Sequence, residues 1–366
     1  MPEVNIVNMT KRYGRIVAND KINLHVKDRE YITMLGPSGC GKTTLIKCIA
    51  GIVRPDEGEI FIGGKKVNDV PMEDRGIGYV FQNIALFPHM DVWDNVTYAP
   101  KVKGWTVEET KPLALEMLEM IRLSVRSDAY PFELSGGMQQ KTAVARALTS
   151  RADLLLFDEP LGALDARVRV ELRDELRRLI RMLELTAIHV THDQEEAMSI
   201  SDRIVVMKSG RIVEVGTPYD LYTKPKNLFT ANFVGEANIL RGEMLNTTQD
   251  GSAIDIGDGL AIKTTDKSHE EGEIVVIAFR PEFGFLNRDR MGINDIPGII
   301  IESTFSGATG RVRIRLRNGE DVVIKQHLSR KTSQKNGDNV YINIEPSNIL
   351  VYSYPESGLE SELALE

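Results

Sequence analysis

The sequence predicts an α/β domain built on parallel strands and interrupted by a helical insertion, followed by a β-rich, barrel-like second domain. Three observations carry this reading. Short apolar runs alternate with amphipathic helical stretches over the first 235 residues. Beyond Gly235 helices largely vanish, and short β runs recur between Gly or Asn turns. The length, 366 residues, exceeds one ordinary core and suits two or three domains. Hydrophobic residues at 42% and charged residues at 27% exclude a largely disordered or collagen-like chain.

The elements follow in order. Residues 1 to about 80 read as short strands broken by turns, with one strong helix. Tyr31-Ile-Thr-Met-Leu35 is a strand, a Gly-rich turn follows, and Lys42 to Ala50 is helical in pattern. Over about 86–150 the character changes to a helical subdomain. Glu108 to Leu123 shows helical spacing at Leu115, Leu118 and Ile121, and Gly136 to Leu148 is Ala-rich and helix-prone. Alternation then resumes with a strand at Leu154–Phe157 and a helix over Asp165–Leu183, whose apolar stripe is Leu172, Leu176, Leu179 and Leu183. Strands at Ala187–Val190 and Ile204–Met207 follow. A boundary near residue 235 gives domains 1–235 and 236–366. In the second, β runs fall at Ile274–Phe279, Ile299–Glu302, Arg311–Arg317, Asp321–Lys325 and Val340–Ile344, and Asn318-Gly319 is a hairpin signal. From about Pro355 the chain turns acidic and is expected to fray.

Composition narrows function. Forty-five basic against 53 acidic residues give a net charge of −8, which argues against broad binding to nucleic acid or anionic lipid. No run approaches a membrane span and no apolar export segment opens the chain, so a cytoplasmic location is expected. Cys40 and Cys48 are spaced for neither a disulfide framework nor a zinc site, which fits a reducing compartment.

Gly36-Pro37-Ser38-Gly39-Cys40-Gly41-Lys42-Thr43, followed by Thr44, fits a phosphate-binding loop between a strand and a helix. Its glycines let backbone N–H groups close around phosphate oxygens. Lys42 would reach the β- and γ-phosphates, Thr43 would ligate Mg²⁺, and the helix points its positive end at the anion. A bulky reagent on Cys40 is expected to block nucleotide binding. A second acidic element, Asp158-Glu159, ends the apolar strand Leu154–Phe157. Asp158 can hold Mg²⁺ through water, and Glu159 can polarise an attacking water.

With Leu134-Ser135-Gly136-Gly137-Met138-Gln139-Gln140 about twenty residues upstream, the chain resembles the ATP-binding cassette (ABC) ATPases. Gln82 in Val80-Phe-Gln-Asn83 looks like that family's Q-loop, Asp165 in Gly162-Ala-Leu-Asp165 like its D-loop, and His192 in Val190-Thr-His-Asp193 like its switch histidine. Tyr13 stands where the family stacks an aromatic on adenine. The resemblance implies an α/β phosphate-loop ATPase using ATP and Mg²⁺, with Glu159, His192 and Gln82 catalytic and Gln82 also near the metal. Ser135, Gly136, Gly137 and Gln139 would meet the ATP of an opposing subunit, since only one copy of each motif is present. That implies a homodimer or a paired ATPase chain. Met138 and Lys141 depart from the family's usual Gln and Arg, at positions that do not contact phosphate. His189, inside its strand, reads as structural.

The β-rich tail resembles the OB-like (TOBE-type) regulatory domain of maltose-importer-type subunits, with Arg280-Pro281-Glu282 matching a tripeptide recurrent there. Phe87 to Val96 resembles the segment that forms a groove for a helix of the membrane partner. The resemblance implies a subunit on the inner face of the cell membrane, two integral-membrane permeases and, indirectly, an extracytoplasmic solute-binding protein. Sugar is the commonest solute of this type, with polyamine, glycerol phosphate, ferric iron and sulfate as alternatives. A soluble ATPase acting on nucleic acid or ribosomes is the alternative of another class. It is suggested by Arg311, Arg313, Arg315 and Arg317 alternating on one strand, but no nucleic acid is expected.

Overall fold

The computed structural model describes residues 2–162, 164–249, 251–292, 294–307, 309–327 and 335–364. The chain divides into two compact units, Met1–Pro218 and Tyr219–Ala364.

In the first unit, β1 (Val4–Tyr13) and β2 (Ile16–Val26) form an antiparallel hairpin far longer than the short strands expected there. Next come β3 (Tyr31–Leu35), α1 (Lys42–Ala50), β4 (Glu57–Ile62) and the two-residue β5 (Lys65–Lys66). The antiparallel sheet runs β2-β1-β4-β5. After β6 (Ile77–Val80) the chain leaves the sheet for α2 (Val92–Val102), α3 (Val107–Met120) and α4 (Gly136–Thr149). It returns through β7 (Leu154–Asp158), α5 (Ala166–Met182), β8 (Thr186–Thr191), α6 (Gln194–Ile200), β9 (Arg203–Lys208) and β10 (Arg211–Gly216). The second sheet has the order β10-β9-β3-β8-β7-β6 and is parallel except for the β9–β10 hairpin.

The order of this sheet follows from burial. β3, β7 and β8 are buried at every residue, so both faces must be covered. Along β7, Leu154 and Leu156 pack with α1 and the antiparallel sheet, whereas Leu155 and Phe157 pack with α4, α5 and the helical layer. The stripe Leu172, Leu176 and Leu179 is buried as its spacing predicts, and Leu183 is partly buried against the same core. Asp91, Thr106, Ser135, Asp165 and Asp193 each cap a helix, satisfying N–H groups that the helix leaves unpaired.

In the second unit, α7 (Pro218–Thr223) and α8 (Leu228–Phe233) precede β11 (Asn238–Thr248), β12 (Gly251–Asp255), β13 (Ala261–Thr264) and β14 (Ile274–Phe279). β15 (Gly284–Asn287), β16 (Asp295–Ser306), β17 (Thr309–Leu316), β18 (Asp321–His327), β19 (Asn339–Ile344) and β20 (Leu350–Ser353) follow. They form two five-stranded antiparallel sheets, β13-β12-β11-β14-β20 and β15-β19-β16-β17-β18, around one apolar core. The tail expected to fray instead forms a short helix, α9 (Leu359–Leu363).

The division falls at Pro218, earlier than the expected boundary near 235. Arg280 supplies the reason. Fully buried, it donates from Nε to Tyr222 O (3.1 Å) and from Nη1 to Ala231 O (2.6 Å) and Glu236 O (3.2 Å), with its guanidinium over the Tyr222 ring. Tyr222 in turn donates its hydroxyl to Glu282. The Arg-Pro-Glu tripeptide therefore ties the segment before 235 to the β-rich unit.

Candidate active site

The loop after β3 holds its shape through glycines at close approaches. A Cβ on Gly36 would lie 2.4 Å from Met207 O and 2.6 Å from Cys40 Sγ, and one on Gly41 (φ +100°) would lie 2.2 Å from Ala18 O. Lys42 is buried, its ammonium donating to Gly36 O (2.7 Å) and Pro37 O (2.8 Å). The Cys40 thiol lies 3.7 Å from that ammonium, and burial pushes its pKa up in spite of the lysine. An open cleft lies here, lined by Ser38, Gly39, Gly41, Lys42, Thr43 and Thr44 together with Glu159.

Two acidic residues at the end of β7 serve separate groups. Asp158 is buried, accepting from Thr43 Oγ1 (3.1 Å) and from the Tyr79 hydroxyl (3.0 Å). Burial, then the carboxylate beside it, pushes the Tyr79 phenol far up, so it remains a donor. Thr43 and Asp158 present hydroxyl and carboxylate oxygens, the donors Mg²⁺ prefers alongside phosphate and water. Glu159 adopts a left-handed backbone, φ +46°, a conformation costing a non-glycine residue about 1–2 kcal/mol. Its N–H donates to Val190 O (2.9 Å), anchoring this turn to β8. The turn sends the Glu159 carboxylate toward two distant residues. Gln82 Nε2 donates to Glu159 Oε2 (3.1 Å), and His192 Nδ1 lies 3.2 Å from the same oxygen. A carboxylate flanked by an amide and an imidazole beside the phosphate loop can accept a proton from water.

The remaining expected residues divide. Gly36, Pro37 and Cys40 do not line the cleft, and Tyr13 stands half-exposed at the tip of the β1–β2 hairpin under Lys11. Ser135, Gly136, Gly137 and Gln139 are not brought to the cleft of their own chain. Ser135 caps α4, and Gly137 sits so close to α5 that a Cβ would fall 2.7 Å from Val168 Cγ1. The Gln139 amide donates to Pro131 O and Leu134 O, bracing the turn that leads into α4. Asp165 caps α5 by accepting from Val168 N (3.1 Å). His189 is fully buried.

Sequence reasoning missed Tyr79, Ile16, Val17 and Ala18 on the hairpin wall, and Ser209 and Gly210 in the β9–β10 turn. Ser209-Gly210 carried a turn signal. Nothing local showed that Gly210 N would donate to Cys40 O (3.1 Å) and so buttress the phosphate loop.

The family model described as ABC transporter matches residues 19–162, and that of the TOBE domain matches residues 264–351. The Fe(3+) ions import ATP-binding protein FbpC of Fusobacterium nucleatum is 37% identical over 351 residues, 96% of this chain and 93% of that protein. The spermidine/putrescine import ATP-binding protein PotA of Roseobacter denitrificans is 37% identical over 349 residues, 93% of this chain and 95% of that protein. A dimeric ATP-binding cassette in a post-hydrolysis state with ADP and Pi is 33% identical, with a TM-score of 0.53 over 59% of this chain and 98% of that one. With motifs, fold and relatives in accord, the chain belongs to the ABC transporter family of ATP-hydrolysing cassettes and carries a TOBE domain.

Proposed function

We propose that this chain is the ATP-hydrolysing subunit of an importer for a small cationic solute, a polyamine first and ferric iron second. The observation that carries the hydrolytic part is the convergence of Gln82 and His192 on Glu159 beside the phosphate loop. Lys42 and the loop N–H groups bind the β- and γ-phosphates. Thr43 and Asp158 would hold Mg²⁺, which when bound offsets phosphate charge. Glu159 accepts the proton of the attacking water, and Gln82 and His192 orient water and γ-phosphate. Ser135 and Gly137 serve the ATP of an opposing copy. Dimerisation is supported by the dimeric cassette, and a role in import by the two import ATP-binding proteins; such a subunit would pair with membrane permeases at the inner face of the membrane.

The solute reading rests on the relatives, whose names point to cations rather than to the sugar expected as commonest. The nucleic-acid alternative loses its one support. Arg311 pairs with Glu236, Arg313 with Glu302, Arg315 with Asp321 and Arg317 with Asp258. The test is uptake of labelled putrescine, ferric iron and maltose in cells with and without the gene, plus purification of Glu159→Gln from detergent-solubilised membranes with ATP. Two polytopic membrane proteins and loss of polyamine uptake are expected. Loss of maltose uptake alone would overturn the solute, and co-purified ribosomes or nucleic acid would overturn the importer.

A further inference from the structure

The turn that carries His192 is closed by a ring of three hydrogen bonds. Thr191 Oγ1 donates to Glu196 Oε2 (2.6 Å), Asp193 N donates to Thr191 Oγ1 (3.0 Å), and Glu196 N donates to Asp193 Oδ1 (3.0 Å). Thr191 and Glu196 are buried, whereas His192 projects outward with its side chain 57% exposed. The ring is braced from both sides. Inward, His189 Nε2 lies 3.0 Å from Glu196 Oε1, near but off the line of a hydrogen bond, and His189 Nδ1 meets the Tyr31 hydroxyl at 2.8 Å. Outward, Arg169 Nη1 reaches Asp193 Oδ2 (3.2 Å) while its Nη2 donates to Leu164 O (3.0 Å), next to the Asp165 cap.

A buried carboxylate is an expensive way to fill a core, since an apolar side chain of similar volume is often neutral or stabilising in such a position. Burial alone would push the Glu196 carboxyl up, but His189 and Thr191 outweigh it and hold the group below its ordinary range. What a carboxylate does here that leucine cannot is accept from Thr191 and so close the ring around the histidine. We infer that Glu196 is a positioning residue for His192, fixing the Thr191–Asp193 turn so that the imidazole stays within reach of Glu159 and the phosphate cleft. Arg169 extends the same bracing to the segment preceding α5, so the turn and the Leu164 carbonyl are held by one side chain.

The inference rests on the hydrolytic role proposed for His192, and the experiment separates the two. ATP turnover and nucleotide affinity are measured for Glu196→Ala, His192→Ala and the double variant of the full chain. A misplacement of order 1 Å predicts that Glu196→Ala lowers kcat by up to about 10²-fold with KM nearly unchanged. The double variant turns over no more slowly than His192→Ala, because Glu196 acts only through that residue. Glu196→Gln recovers most of the rate, as its carboxamide oxygen still accepts from Thr191. If Glu196→Ala does not fold, Thr191→Val removes the same hydroxyl at equal volume and shows the same lack of additivity. Wild-type kcat in Glu196→Ala, or losses that multiply in the double variant, overturn this proposal alone. Wild-type turnover in His192→Ala overturns the role of His192 and this proposal with it.

Discussion

Replacing Arg280 with alanine tests how the second unit holds α7 and α8. The guanidinium donates three hydrogen bonds to backbone carbonyls and stacks 4.5 Å from the Tyr222 ring centroid. Hydrogen bonds from a charged donor contribute about 1.5–3 kcal/mol each, and a desolvated cation–π contact about 2 kcal/mol. Against this stands the burial of a cation that, among the described residues, meets no carboxylate directly and whose Nη2 finds no hydrogen-bond partner there. Burial is also the main cause that lowers the Arg280 pKa. The alanine cavity admits water to some of the carbonyls, so the net loss comes to about 3 kcal/mol. At about 1.4 kcal/mol per factor of ten, amides over 219–236 should exchange hydrogen roughly two orders of magnitude faster when opening is local. Hydrogen–deuterium exchange of those peptides is the assay. Arg280→Met, which fills the space without donating, should lose less than alanine. Exchange within about threefold of wild type in Arg280→Ala corresponds to under about 0.7 kcal/mol, less than a single charged hydrogen bond contributes, and would rule out Arg280 as the tie.

Three further outcomes follow from the site and its surroundings. Glu159→Gln should lower kcat by about 10²–10⁴-fold while ATP affinity persists, because loss of a general base leaves the phosphate contacts in place; steady-state hydrolysis at wild-type rate would remove Glu159 from the chemistry. Cys40 should react slowly with maleimide at neutral pH and faster as pH rises, since burial disfavours its thiolate, and labelling should abolish nucleotide binding because its sulfur packs against Gly36; retained affinity after full labelling would contradict this. The Glu236 carboxyl is held below its ordinary value of 4.5: burial opposes this, and the hydrogen bonds and charges of Lys325 and Arg311 prevail. Its contribution to stability is thus present above that value and is lost as pH falls through the lower folded-state pKa. Acid unfolding of Glu236→Gln should be correspondingly flatter below about pH 4.5, with an unchanged acid limb as the contrary result.

Chemistry confined to neighbouring residues was legible along the chain. The helix after the phosphate loop spans Lys42–Ala50 as expected, because glycines, a capping turn and apolar spacing act within a few residues. The Asn318-Gly319 hairpin and the stripe on α5 are legible for the same reason. Resemblance added the roles of Gln82, Glu159 and His192, but not their arrangement. Packing brings Gln82, 77 residues away along the chain, to donate to Glu159, and a left-handed backbone aims that carboxylate. It also showed Tyr79 donating to Asp158, Gly210 buttressing the phosphate loop, and Arg280 gathering the chain before residue 235 into the second unit. Four arginines that read as a basic face each meet a carboxylate from another strand or loop. The physical reason is common to all of these. Propensity, capping and periodicity are properties of neighbouring residues, whereas burial, pairing of charge and aim of a side chain arise only when distant segments pack together.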